Sequence, residues 1–254
     1  MKQPVNGWPR WLWHVLGPVL PIMNVLALIR YPSFISDLRA FRRLGGEAPA
    51  RDWHPCLFDR TIETGVDWHY FYQAVWTMRK IADSKPLRHV DVGSDVKFVG
   101  MLTAVTDVSF VDIRPFRPEI SRFEGLEGSI LEMPFERNSL VSLSTLSVAE
   151  HIGLGRYGDP INPDGTRKAC DELNRVLAPG GDLYFGLPVG TPRVCFNAHR
   201  VHSPMDILQM FEPMELVEFS VVDDTGRFFE DVSPSDYQQA NFANGLFHFR
   251  KSLD

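Results

Sequence analysis

Two short polar stretches of the chain carry residues that are suited to acid–base chemistry. The first, AEHIGLGRYGDP, contains the adjacent pair Glu150 and His151 and, farther along, Asp159. A histidine that titrates near neutrality can take a proton from a hydroxyl group, and a neighbouring carboxylate can orient it. Arg156 and Tyr157 could bind sugar hydroxyls or an anionic group. We therefore predict that His151 is a general base, oriented by Glu150 or Asp159.

The second stretch, FNAHRVHSP, follows a predicted buried strand and adds four candidates, Asn197, His199, Arg200 and His202. His199 is a further candidate for catalysis, and the other three are candidates for binding the substrate. Hydrogen bonds that hold the loop together would explain the same residues. Two histidines could also suggest a metal, but no carboxylate or cysteine completes a ligand set at a recognisable spacing, so we predict no metal site.

A third stretch, RHVDVGSDVKFVG, reads as a strand that ends in a ligand-binding turn. Gly93 has no Cβ and lets the backbone approach a ligand closely. Asp112 ends the next predicted strand, and its carboxylate can accept both hydrogen bonds of a ribose diol. In an open α/β sheet the ligand lies beyond the carboxyl ends of the strands, so we expect both residues at one pocket.

The elements that must position these residues alternate between strand and helix from about residue 60. Predicted strands are LRHVDVG, DVSFVDI, LVSLSTLS and DLYFGLPVG, and predicted helices are VDWHYFYQAVWTMRKIADSK, DVKFVGMLTAV and DGTRKACDELNRVLAPGG. Such alternation predicts a mostly parallel sheet covered by helices. Near the end, MELVEFSVVDD and GLFHFRKS are predicted strands with no clear crossover helix between them, which favours an antiparallel final pair.

The composition describes an ordinary globular chain of 254 residues, with 44% hydrophobic residues, a net charge of −6 and a pI near 5.8. Nucleic-acid binding depends on clustered Lys and Arg, so the acidic balance argues against a nucleic-acid partner. The three cysteines are too few and too widely spaced for a disulfide framework, which favours a reducing compartment.

The first 58 residues differ from the rest and are predicted to form an apolar arm and a linker, followed by one α/β domain over 59–254. Residues 11–29, WLWHVLGPVLPIMNVLALI, carry no charged side chain, but Pro18 and Pro21 interrupt any helix there. Three interpretations stay open: an arm packed on the domain or on a second subunit of a homodimer, an interfacial membrane anchor formed by residues 8–29, or a true span. We expect a cytoplasmic protein, at the inner face of the membrane if the arm is an anchor.

Four motifs resemble those of class I S-adenosylmethionine (SAM)-dependent methyltransferases: VDVG, FVDIRP, LEGSILEMPFERNSLVSL and LNRVLAPGGDLYFGLP. In addition, AEHIGLGRYGDPINPDG and FNAHRVHSP resemble a family known as domain of unknown function 268, over residues 67 to 250. The resemblance implies an α/β fold with a doubly wound, mostly parallel seven-stranded sheet and an antiparallel last strand pair. The apolar helical arm would precede it.

The resemblance also implies SAM as the cofactor. It places Ser129 and Ile130 near the adenine, with a hydroxyl for the edge of the base and an aliphatic face for its ring. The complete set of expected cofactor-binding residues is Asp91, Gly93, Ser94, Asp95, Asp112, Ile113, Ser129 and Ile130.

The turn after the first strand departs from the methyltransferase pattern, because Asp95 and Lys97 stand where that turn usually has glycine. Neither residue adopts a positive φ readily, so the turn must be rebuilt. Asp95 could face the cationic sulfonium or the amino group of SAM, while Ser94 or Asp95 caps the following helix. The alternative is a site that has lost its ligand.

These observations predict a SAM-dependent methyltransferase that acts on a sugar or glycan hydroxyl. The glycan part depends on the polar loops, on the N-terminal arm and on the expectation, from the resemblance, that such bacterial proteins accompany surface-polysaccharide genes. A non-catalytic binding or scaffold protein with a degenerate methyltransferase fold is the alternative. A nucleotide-sugar enzyme that uses NAD is disfavoured, because the sequence has no GxGxxG loop.

Overall fold

The structure is a computed structural model, and it describes residues 22–114 and 116–253. The chain divides into two compact units, Met1–Gly65 and Val66–Asp254. The division therefore falls after Gly65, whereas the sequence analysis placed it after residue 58.

The first unit contains helix α1, Ile22–Arg43, and a short 3-10 helix, Ala50–Asp52. Between them the chain turns at Gly45, whose φ of +90° suits glycine. Arg60 Nη2 lies 2.7 Å from Asp37 Oδ2 and ties the end of the unit to α1. Most of the arm predicted over 8–29 lies outside the described residues. Within the described ranges, no helix has both the length and the apolar character needed to cross a bilayer.

The second unit is built around one eight-stranded sheet in the order β3-β2-β1-β4-β5-β10-β8-β9. The strands are β1 Arg88–Val92, β2 Asp107–Asp112, β3 Phe123–Glu127, β4 Leu140–Leu146, β5 Leu177–Val189, β8 Glu215–Val222, β9 Phe228–Phe229 and β10 Ala243–Arg250. Strands β1 to β5 pair in parallel, and β10 lies antiparallel between β5 and β8. The predicted fold class is confirmed, including the antiparallel last pair, and the two-residue β9 is the strand beyond the expected seven.

The helices that flank the sheet are α2 Trp68–Ser84, α3 Val96–Leu102, α4 Gly165–Val176 and α5 Pro204–Met210. The first three were predicted, whereas α5 was not. Helix α4 is shorter than predicted, because residues 177–181 belong to β5. Asp67 caps the start of helix α2, and its side chain accepts hydrogen bonds from the backbone of His69 and Tyr70. The α3 helix is shorter than predicted, because the chain turns after Leu102 to enter β2.

The hairpin formed by β6 Arg193–Cys195 and β7 His199–Val201 was not predicted, and neither was β3. Both consist of short, partly exposed strands without a long apolar run, so the sequence gives little signal for them.

The topology fixes the place where a ligand can bind. From β1 the chain continues outward to β2 and β3, and then returns to place β4 on the other side of β1. At such a switch point the connections leave β1 and β4 in opposite directions, which opens a crevice beyond the carboxyl ends of these strands. The turns that follow β1, β2 and β4 therefore define the candidate site.

Candidate functional site

A cavity of about 360 Å³ lies at this switch point. Its size is within the range of about 300–1,000 Å³ that is usual for small-molecule pockets. Its wall includes the cofactor candidates Gly93, Asp112, Ile113, Ser129 and Ile130, and the loop residues His151, Tyr157 and Asp159. The structure thus brings together eight of the residues selected from the sequence.

The turn after β1 is rebuilt around a single glycine. Among residues 91 to 97, only Gly93 has a positive φ, +69°. Ser94 then closes the turn, since its backbone N–H donates to Asp91 Oδ1 at 3.1 Å and its Oγ donates to Asp91 Oδ2 at 2.8 Å. Asp95 caps α3 by accepting hydrogen bonds from Lys97 N at 2.9 Å and Phe98 N at 3.3 Å. A loop with glycine at 95 and 97 is therefore not needed to make this turn.

Asp91 and Asp95 support the turn from outside the cavity wall. Asp91 is fully buried, and burial raises its pKa to about 6, although hydrogen bonds from Ser144 and Ser94 oppose the increase. The carboxylate of Asp95 is committed to the helix N-terminus, so its predicted approach to a sulfonium has no support in this geometry. Ser94 is also buried, and its hydroxyl is used within the turn.

Asp112 and the segment that follows β3 form the other side of the cavity. Asp112 Oδ1 accepts hydrogen bonds from Arg114 N at 2.7 Å and from Arg114 Nε at 3.3 Å, which orients the carboxylate at the end of β2. Ser129 Oγ accepts from Leu131 N at 3.1 Å, and Ile130 packs into the core with 4% exposure. This wall therefore offers one oriented carboxylate and an apolar surface.

Close packing explains why glycine is needed at 93. A Cβ added there would lie 3.2 and 3.3 Å from the methyl groups of Val148, on a backbone whose φ already disfavours other residues. Gly93 also lines the cavity, so the wall has no side chain at this position.

His151 lies in a 3-10 turn, Ala149–His151, directly after β4. Its Nδ1 lies 2.6 Å from the carbonyl oxygen of Ala198, so we assign the imidazole hydrogen to Nδ1. Burial, together with the nearby charge of Arg156, lowers the pKa of His151 to about 4, although the hydrogen bond to Ala198 opposes the decrease. The prediction that His151 titrates near neutrality is therefore wrong, because the ring is held neutral in a mostly buried position.

Neither predicted carboxylate orients His151 by a hydrogen bond. Glu150 Oε1 lies 3.6 Å from His151 Nε2, which is too long for a hydrogen bond. Asp159 instead accepts hydrogen bonds from Gly153 N at 2.6 Å and Tyr157 N at 3.3 Å, and so shapes the loop backbone. Partial burial opposes ionisation of Asp159, but these backbone donors lower its pKa below the ordinary value.

Tyr157 stands at the mouth of the cavity between two guanidinium groups. The Arg114 and Arg156 Cζ atoms lie 4.8 and 5.1 Å from the centre of its ring. Arg156 Nη1 also donates to Ala198 O at 3.0 Å. These contacts connect the loop after β2 with the loop after β4. Arg114 was not selected from the sequence, although its position two residues after Asp112 was a usable signal.

The second polar stretch lies beside the cavity and does not line it. Arg200 donates to the carbonyl oxygens of Ile152 at 2.6 Å and Asn162 at 2.9 Å, and His202 Nε2 lies 3.2 Å from Thr166 Oγ1. These two side chains hold loops together, as the structural alternative predicted. Their assignment to substrate binding gains no support from these contacts and stays a prediction.

The remaining members of that stretch are more open. His199 packs against Phe242 with ring centres 4.9 Å apart, and burial followed by the charges of Arg193 and Arg156 lowers its pKa. Asn197 is exposed, away from the cavity wall. Within residues 22–114 and 116–253, no group of three His, Cys, Asp or Glu side chains has a metal-binding arrangement.

A larger depression of about 670 Å³ lies near the amino-terminal end of β4. Lys251 and Arg175 border it, but Lys251 Nζ already donates to Leu177 O at 2.9 Å and Arg175 pairs with Glu172 at 2.6 Å. These two cations are therefore already bonded within the protein, and the site at the carboxyl ends is the better candidate because the topology places it at the switch point.

Comparison with solved structures identifies the fold as methyltransferase-like. One chain of the Haloferax volcanii complex between the Trm112 methyltransferase activator and a protein described as a methyltransferase is 13% identical, with 72% of this chain and 90% of that chain covered and a TM-score of 0.52. A Galdieria sulphuraria protein described as a sarcosine dimethylglycine methyltransferase is 13% identical, covers 72% and 86% of the two chains, and has a TM-score of 0.51. The [4+2]-cyclase SpnF is 12% identical, with coverages of 71% and 82% and a TM-score of 0.52.

A family model described as a Caenorhabditis protein of unknown function, DUF268, matches residues 123–241. The match extends from β3 to the residues before β10, and it includes both polar stretches from which the acid–base candidates were selected. The resemblance to this family is thereby confirmed over that range. Comparison with curated proteins finds no matching sequence.

The groups that line the cavity are of the kinds that SAM requires. Bare backbone at Gly93, an oriented carboxylate at Asp112 and the apolar wall formed with Ile130 surround one space. Glu150, a buried carboxyl group with an unused oxygen, lies 3.6 Å from His151, which lines this space. A cationic ligand with a ribose diol and an aromatic base matches this set of groups.

Proposed function

We propose that the protein binds SAM and transfers its methyl group to a hydroxyl group of a sugar or glycan. The observation that carries this proposal is the convergence of Gly93, Asp112 and Ile130 on one cavity at the switch point of the sheet. The fold alone is a weaker argument, because the similar structures include a cyclase as well as proteins described as methyltransferases.

In this proposal Asp112 accepts the ribose hydroxyls, Ser129 and Ile130 contact the adenine, and the backbone at Gly93 allows close approach. SAM supplies an electrophilic methyl group on a sulfonium. The acceptor hydroxyl would enter near His151, where the loop residues Arg156 and Tyr157 present donors and an aromatic face. Sugars are bound by such combinations of polar donors and aromatic rings, which supports a glycan acceptor.

A non-catalytic binding protein is the second candidate, and one observation favours it. Both nitrogens of His151 face protein groups, Ala198 O and the carboxyl of Glu150, and its pKa of about 4 makes it a weak base. If this arrangement persists with ligand bound, SAM would bind without transfer.

Calorimetric titration with SAM tests the binding part of the proposal. Gly93→Val and Asp112→Ala should each weaken SAM binding about tenfold or more, which corresponds to about 1.4 kcal/mol. Asp107→Ala is a matched control, because Asp107 is an exposed carboxylate at the opposite end of β2, paired with Arg122 at 2.8 Å. Failure of the folded protein to bind SAM would reject the proposal, and binding of NAD in its place would support the nucleotide-sugar enzyme.

Methyl transfer is tested by incubating methyl-labelled SAM with extracts of sugar-containing lipids and nucleotide sugars. Label should appear in a sugar fraction, and His151→Gln should slow transfer about 100-fold or more while SAM affinity stays nearly unchanged. Tight SAM binding without transfer to any extract would favour the scaffold. Transfer by His151→Gln at the wild-type rate would exclude His151 from the proton transfer.

A further inference from the structure

Glu150 carries a buried carboxyl group with an unused oxygen. The residue is 2% exposed, and no described residue donates a hydrogen bond to its Oε2. An unpaired carboxylate is strongly disfavoured away from water, so a group of this kind requires an explanation. Burial raises the pKa of Glu150 to about 8, against the opposing effects of its own backbone N–H and the charge of Arg156.

The neighbouring imidazole adds a second constraint on the proton of Glu150. Because Nδ1 of His151 carries the hydrogen that is donated to Ala198 O, its Nε2 has a lone pair that faces Glu150 Oε1 at 3.6 Å. An ionised carboxylate would place two hydrogen-bond acceptors opposite each other. A protonated carboxyl removes this repulsion, so the contact favours a proton on Glu150 when the cavity holds no cation.

In the described part of the chain, few charges near Glu150 can compensate for its ionisation. Tyr70, in the first turn of α2, has its pKa raised by burial and then by the negative charge of Glu150. Arg156 is the cation that faces the pair, and its Nη1 is already bonded to the Ala198 carbonyl. His199 and Asp159 act on His151 from the other side with opposite effects on its pKa. Full neutralisation of a Glu150 carboxylate therefore needs a further positive charge.

We propose that Glu150 is the counter-charge of the sulfonium: it is protonated in the free protein, and it ionises when SAM binds in the cavity. The geometry supports this role, because His151 lines the cavity and Glu150 Oε1 lies 3.6 Å from His151 Nε2. In a poorly solvated interior, charges interact strongly across one side chain. The inference rests on the proposed function, since it assumes that the cavity binds SAM.

The same arrangement gives the methyl acceptor a destination for its proton. The O–H bond of the acceptor breaks, its oxygen bonds to the methyl carbon, and the electron pair of the broken carbon–sulfur bond remains on sulfur as a neutral thioether. The proton of the acceptor ends on the Glu150 carboxylate, which regains the neutral state of the free protein. The positive charge in the cavity and the negative charge on Glu150 disappear together, so the cationic cofactor and its neutral product bind to different protonation states of Glu150.

Calorimetry of the full chain with SAM and with its demethylated product S-adenosylhomocysteine (SAH) tests this inference. Titrations at each pH between 6.5 and 8.5 use two buffers with different ionisation enthalpies, which reports the number of protons released on binding. Wild type should release nearly one more proton with SAM than Glu150→Gln does at pH 7, and its SAM affinity should rise at least about tenfold more than that of the variant across this range. Because Gln is uncharged and isosteric, the variant also corrects for protons released by the ligand itself.

Glu136→Gln is the matched control, since Glu136 is an exposed carboxylate away from the cavity, and it should behave as wild type. SAH binding should show no proton release that depends on Glu150. An infrared difference spectrum of wild type provides a second measurement that needs no variant: the carbonyl band of a protonated carboxylic acid should disappear when SAM binds and persist with SAH.

The outcomes separate the two proposals. If SAM and SAH bind but Glu150→Gln matches the proton release and pH profile of wild type, the counter-charge role is refuted and the proposed function is unaffected. Persistence of the carboxylic acid band in the SAM complex would refute it equally. If neither ligand binds to folded protein, the proposed function fails, and the inference fails with it.

Discussion

The rebuilt turn after β1 depends on the hydroxyl of Ser94, so Ser94→Ala should be strongly destabilising. The residue is 5% exposed, its Oγ donates to Asp91 Oδ2 at 2.8 Å, and it accepts from the backbone N–H of Leu146 at 2.9 Å. Loss of a hydrogen bond to a charged group costs about 1.5–3 kcal/mol, and the stranded N–H of Leu146 adds about 1–3 kcal/mol. We expect the free energy of unfolding to fall by about 3 kcal/mol or more.

Urea denaturation followed by circular dichroism measures this loss. With a slope of about 2–3 kcal/mol/M, the midpoint should move down by about 1 M or more. Ser139→Ala is the matched control, because Ser139 is exposed and its Oγ makes one hydrogen bond, to Glu136 O at 2.8 Å. A change at an exposed position of this kind is usually within about 0.5 kcal/mol. Equal midpoint shifts for the two variants would contradict the role assigned to Ser94.

Two further predictions concern acid stability and the N-terminal arm. His89 is fully buried between Ser142 Oγ and Ser144 Oγ, both at 2.8 Å, and burial lowers its pKa to about 3. Below pH 6.5 the unfolded chain takes up a proton that folded His89 does not, so the free energy of unfolding decreases as the pH falls. In urea titrations between pH 7.5 and pH 4, the free energy of unfolding of His89→Gln should decrease by about 3 kcal/mol less than that of wild type. An equal decrease for the two proteins would contradict the assignment. If residues 8–29 are an interfacial anchor, the full chain should co-sediment with anionic liposomes and a chain beginning at residue 46 should not; equal sedimentation would reject the anchor, and loss of a dimer on truncation would indicate a subunit contact instead.

The sequence predicted the fold well because its signals are local. The apolar spacing of α2 and the buried runs of β1, β4 and β5 required no knowledge of distant residues. The capping of α3 by Asp95 was also open to prediction, since an Asp before a helix is a local signal. By contrast, the role of the Ser94 hydroxyl depends on its hydrogen bond from Leu146 N. Leu146 is far away in the sequence and lies next to Ser94 only because β1 pairs with β4.

The candidate site was only partly predictable, because its geometry also depends on residues that are distant in the sequence. The sequence indicated Glu150 and His151 as a pair, but their burial depends on how the 3-10 turn leaves β4 and on a carbonyl from residue 198. Arg200 and His202 have residue types that are common in binding sites. However, Arg200 contacts the carbonyl group of Ile152, in the loop before α4, and His202 contacts the hydroxyl group of Thr166, within α4. Residue type alone does not distinguish a side chain that contacts a ligand from one that holds two loops together by hydrogen bonds.

Glu150 also bears on the choice between an enzyme and a scaffold. Above a pH of about 8 the carboxylate must ionise in its buried position, and a pKa raised from 4.5 to about 8 corresponds to a loss of about 5 kcal/mol of folding stability. A protein that retained only the fold would be more stable with a neutral side chain at this position, since a buried charge without a partner is a cost and not a stabilising contact. A ligand with a positive charge in the adjacent cavity turns this cost into binding energy. The proposed function therefore gives the unused oxygen of Glu150 a role, and the calorimetric titrations with SAM test that role.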